Sequence, residues 1–63
     1  MELDGKKLRV AVAESRLQIS EILEKAGISQ KTWLRAFKGK QIRPVTAGKI
    51  AHALSVTVKS LLP

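Results

Sequence analysis

The chain has 63 residues, no cysteine, one histidine and a net charge of +7, from 12 Lys and Arg against 5 Asp and Glu. That length holds one domain, residues 1–63, and folding a chain of this size hides only about 60% of the surface it exposes when unfolded. No disulfide or thiolate site can staple it and one histidine makes no zinc set, so it is expected to fold without a cofactor, on apolar packing or association alone.

The apolar periods along the chain are helical, and no segment alternates at period two over a strand's length. Asp4 can cap a first helix through "GKKLRVAVAESR", with Leu8, Ala11, Val12 and Ser15 at i, i+3, i+4 and i+7 as its core stripe. The longest nearly apolar run, "VAVA" from Val10 to Ala13, is too short for a membrane span or a secretory signal, which points to a soluble cytoplasmic protein with no membrane partner. In "QISEILEKAG" the stripe is Ile19, Ile22, Leu23 and Ala26, and the helix is expected to stop at Gly27 in the left-handed conformation, with Ile28 packing back on Leu23. Ser29 can then cap a third helix after a sharp turn near residues 26–29. Beyond it Pro44 breaks the chain, and Thr46 can cap a fourth helix whose core face is Ala47, Ile50, Ala51 and Leu54. Thr57 can cap a short fifth helix over "VKSLL" before Pro63. The expectation is therefore an all-α fold of five short helices.

The charge is unevenly spread. Residues 1–24 carry four cations and five acids, a net of −1, whereas residues 25–63 carry eight cations and no acid. A small cationic body of this kind meets a polyanion, nucleic acid before an acidic membrane, or else keeps a solvated surface soluble. The third helix, about residues 29–38, concentrates the question, since it holds both aromatics, Trp33 and Phe37. With Lys31 at zero and about 100° per residue, Leu34, Arg35 and Lys38 fall near 300°, 40° and 340°, while Trp33, Ala36 and Phe37 fall near 200°, 140° and 240°. The aromatics read as core anchors holding a basic stripe outward. Leu34 in that stripe is either an ordinary surface leucine or a contact for a thymine methyl in a major groove.

These residues resemble the Cro and phage-repressor (XRE-type) helix-turn-helix family. The likeness runs through "EKAGISQKTWLRAFKGK" and then "RPVTAGKIAHALSVTVKSLL", covering nearly the whole chain. It implies a lambda-repressor-like domain that binds double-stranded DNA with sequence specificity, regulates transcription as a repressor does, and sits as a homodimer on a pseudo-palindromic operator, with a monomer open to it when free. Position by position, the resemblance puts base contacts at Ser29, Gln30, Lys31 and Arg35, beside the candidate Leu34 of the stripe, with Gln30 suited to adenine and Lys31 or Arg35 to guanine. It puts phosphate contacts at Lys38, Lys40, Gln41 and Arg43, and the dimer contact at Pro44, Val45, Val58 and Lys59.

The sequence departs from that pattern in three places. Gln18 and Ile19 stand where the family carries a serine or asparagine cap and a DNA-touching glutamine. Val12 and Phe37 replace a buried arginine–glutamate pair, a joint change that repacking tolerates better than loss of one partner. Leu23 and Ala36 exchange the small and large residues usual at those sites, which conserves volume. The first departure keeps a second reading open, a small protein-interaction module or antitoxin-like accessory regulator of the same fold. No catalytic constellation or Gly-rich phosphate loop supports an enzyme, and His52 between core positions of the fourth helix reads as structural.

Overall fold

A computed structural model describes residues 1–63 as four α-helices with no strand: α1 (Gly5–Ser15), α2 (Ile19–Ala26), α3 (Gln30–Phe37) and α4 (Pro44–Ala53), followed by a 3₁₀ turn, Lys59–Leu61. The expected fifth helix is thus a single tight turn. Thr57 still accepts from the Ser60 N–H through Oγ1 at 3.1 Å, but three residues permit only i→i+3 bonding.

Each helix boundary has a local cause. The Asp4 carboxylate accepts from the N–H groups of Lys6 (2.8 Å) and Lys7 (3.2 Å), satisfying donors that α1 leaves unpaired. Arg16 closes α1 in the left-handed region at φ 59°. At the start of α2 the Glu21 carboxylate reaches back to the Gln18 N–H at 2.9 Å, one half of a capping box. Gly27, at φ 68°, ends α2, and the N–H groups of Gly27 and Ile28 both bond the Leu23 carbonyl, at 2.8 and 3.2 Å. Ser29 Oγ accepts from the Thr32 N–H at 3.2 Å and opens α3. The start of α4 differs from expectation. Pro44 is its first residue and Arg43 takes the cap position, so Thr46 lies inside the helix and is buried. Proline's fixed φ and missing N–H suit the first helical position, where that donor would be unpaired anyway.

One core joins all four helices and both chain ends. Leu3, Leu8, Ile22, Ile50 and Leu61 are the largest side chains fully enclosed in it. The expected core face of α4, Ala47, Ile50, Ala51 and Leu54, is buried throughout, and α4 packs on α2. Ile19 departs from its expected place in the α2 stripe and is exposed as the first residue of the helix. Val12, Leu23 and Phe37 border the core partly buried, while Ala36 is fully enclosed. The N-terminus of α1 abuts the end of α3: a Cβ on Gly5 would lie 2.6 Å from the Phe37 carbonyl oxygen. The segment before α1 is bound to the loop after α3, with Ile42 N–H donating to the Met1 carbonyl at 2.8 Å, while Asp4 N–H donates to the Leu61 carbonyl at 2.8 Å. No helix is long and apolar enough to cross a membrane.

Candidate nucleic-acid interface

The two faces of α3 divide as its sequence implies. Trp33 and Ala36 are buried, and Trp33 stacks on Phe37 with centroids 5.9 Å apart and planes 18° from parallel. Phe37 is only half-buried. Its ring lies under the Arg9 guanidinium, 5.5 Å from the centroid. On the opposite side Gln30, Lys31, Leu34, Arg35 and Lys38 are exposed and, with Lys40, line one shallow depression. Leu34 is 44% exposed amid four cations. A second depression adjoins it, lined by Thr32, Arg35, Gln41, Ile42, Arg43 and Thr46. Arg35 borders both, and neither contains a carboxylate.

Hydrogen bonds sort these candidates further. Arg35 Nη2 donates to the Gln41 carbonyl at 2.9 Å, which holds the guanidinium against the loop while leaving its other N–H groups outward. The exposed Gln41 side chain is tied to the N-terminal segment. Oε1 accepts from the Met1 amino group at 2.8 Å and Nε2 donates to Glu2 Oε2 at 3.2 Å, so the amide is engaged at both ends. The Ser29 hydroxyl is exposed but serves its own helix, accepting from Thr32 N–H and sharing a 3.0 Å hydrogen bond with Thr32 Oγ1. Lys31, Lys38, Lys40 and Arg43 remain exposed cations.

The residues expected at a dimer contact lie in two segments. Pro44 and Val45 sit at the first turn of α4, with Val45 64% exposed, whereas Val58 is half-buried and Lys59 exposed at the C-terminal turn. Two cations escaped the sequence reading. Lys6 and Arg9 line a third depression together with Asp4, Gly5, Phe37, Lys38 and Gly39, so the start of α1 extends the basic surface past the end of α3. In sequence they belong to the N-terminal part, whose net charge is −1, and only the packing of α1 on α3 joins them to the basic face.

Compared with known proteins, the chain matches no family model, no curated protein and no solved structure.

Proposed function

We propose that this chain is a helix-turn-helix regulator of the Cro and phage-repressor kind, binding double-stranded DNA through α3. The observation that carries the reading is the outward stripe of α3, where Gln30, Lys31, Leu34 and Arg35 share one depression with Lys38 and Lys40 and no carboxylate lies in residues 25–63. The geometry of α2, the Gly27 turn and the Ser29-capped α3 is what a recognition helix needs, since an α-helix fits the major groove and reads bases from its N-terminal turns. In this reading Gln30 and Lys31 reach base edges first, Arg35 follows one turn later, and Leu34 meets a thymine methyl. Lys38, Lys40 and Arg43 take phosphates, fixing register without reading sequence. Such a regulator acts in the cytoplasm as a homodimer, its two α3 helices about 34 Å apart on adjacent half-sites.

Selection of bound duplexes from a random pool tests this directly. Enrichment of a short, twofold-related motif is the expected result, and a pool that stays random at low salt removes the DNA reading. One observation favours a protein-interaction module instead: Ile19 is exposed at the start of α2, where the resemblance calls for a DNA-touching glutamine. That alternative predicts binding to a protein partner with little dependence on salt.

A further inference from the structure

On the outer face of α1 the stripe Lys6, Val10 and Glu14 is exposed, and of the three only Lys6 also borders the basic surface. Val10 is 57% exposed at its middle, with Lys6 four residues before it and Glu14 four residues after, each about 40° from Val10 around the helix. Beside this stripe lies an apolar depression lined by Val10, Ala11, Val56 and Leu61, with Lys6 and Glu14 at its rim. Between its caps, Asp4 and Arg16, the charges of α1 run against its dipole. Its first turn, the positive end, holds Lys6 and Lys7 and no acid, and its last turn holds Glu14 and no base. In α2 the order is the favourable one, Glu21 first and Lys25 last. Lys7 is compensated within the fold, because its ammonium donates to the Leu62 carbonyl at 2.7 Å. The Lys6 ammonium has no partner within the chain, only the backbone N–H of that residue meeting the Asp4 carboxylate, and the Glu14 carboxylate has none either.

We propose that a second copy of this chain docks on this face, with the two α1 helices antiparallel about a twofold axis through Val10. A twofold contact pairs each residue four positions before the axis with one four positions after it. Lys6 therefore meets the partner's Glu14, and Glu14 meets the partner's Lys6. The two Val10 side chains meet at the axis, each beside the apolar depression of the other copy. Antiparallel packing also sets Lys6 beside the negative end of the facing helix and Glu14 beside its positive end, so charges misplaced on their own helix are correctly placed on the other. A parallel pair would oppose lysine to lysine, and a uniformly acidic or basic partner would be repelled at one end of the stripe. The face is self-complementary, as an isologous interface must be. One helix and a shallow groove fall at the small end of interfaces, below about 1,200 Å² in total, so the dimer is weak and concentration-dependent. None of the residues lining this depression lies in α3 or the loop after it. The inference stands on α1 and the C-terminal segment and does not depend on DNA binding, although Lys6 borders both surfaces.

Sedimentation equilibrium of the full chain without DNA, from micromolar to millimolar concentration, tests it. Lys6→Glu makes the stripe acidic at both ends and Glu14→Lys makes it basic at both ends. Each alone is expected to weaken self-association by at least about tenfold, because like charges then face each other across the axis. An equimolar mixture of the two should associate again as a heterodimer, and the double variant should recover the parent homodimer. Both positions are exposed, and circular dichroism checks that the variants remain folded. A parent that stays monomeric throughout, leaving the face to a different protein, overturns the proposal. So do single variants that associate like the parent, or a mixture that stays monomeric.

Discussion

Arg35 and Lys40 look alike as surface cations, yet the structure gives them different freedom. Arg35 is braced by the Gln41 carbonyl and borders both depressions of the basic face, whereas Lys40 sits at the edge of one. On the DNA reading, Lys31→Ala and Arg35→Ala should each cost about 1–3 kcal/mol on the selected site and relax base preference there. Lys40→Ala should weaken all duplexes about equally and lower the salt slope by about one. Binding titrations on the selected and a scrambled duplex separate the two classes, and identical behaviour of all three variants refutes the division. Gln41→Ala is expected to leave duplex affinity nearly unchanged, since its amide is engaged with Met1 and Glu2. The exposure of Lys31, Leu34, Arg35 and Lys38 was legible from the wheel of α3. The bracing of Arg35 was not, because it depends on the path of a loop, and side-chain periodicity carries no information about where a loop carbonyl points.

At the scale of the elements, two glycines make opposed predictions. A Cβ at Gly5 would press to 2.6 Å from the Phe37 carbonyl, where α1 meets α3, while one at Gly48 in α4 would touch nothing within 4 Å. Gly5→Ala should therefore destabilise by about 1–3 kcal/mol through forced separation of the helices, although alanine is the better helix former. Gly48→Ala should stabilise by about 0.5–1 kcal/mol. Thermal melts give the sign in each case, and a neutral Gly5→Ala would mean that α1 is not seated on α3. Phe37 needs a smaller estimate than a core phenylalanine because it is half-buried: Phe37→Ala should cost about 2–3 kcal/mol, below the usual 3–5 for full burial. Phe37→Glu should be no worse, because the new carboxylate would lie beneath Arg9 and not stand as an unpaired buried charge. The helices themselves were readable from caps and stripes at Asp4, Gly27 and Ser29. Thr46 misled because it is a good capping residue two positions beyond a proline that is itself a good first residue.

For the molecule as a whole, the separation of charge along the chain was visible in the sequence, but its separation in space was not. Lys6 and Arg9 belong to the part with a net of −1 and yet lie against Phe37, Lys38 and Gly39. If they join the DNA surface, removing both should lower the slope of log K against log salt by about 1.8, at about 0.9 per phosphate. Binding isotherms at several salt concentrations measure this, and an unchanged slope confines the surface to α3 and its following loop.

The stacking of Trp33 on Phe37 makes the chain its own spectroscopic reporter. It contains no tyrosine and only this one tryptophan, and the indole is 4% exposed. Emission from the native protein should be blue-shifted and resistant to iodide, and should move to longer wavelength only when the core opens. A ligand on the outer side of α3 would leave that signal almost untouched. Fluorescence therefore follows unfolding in the presence of DNA without interference from binding, and strong quenching by added duplex would mean that Trp33 leaves the core to stack on a base.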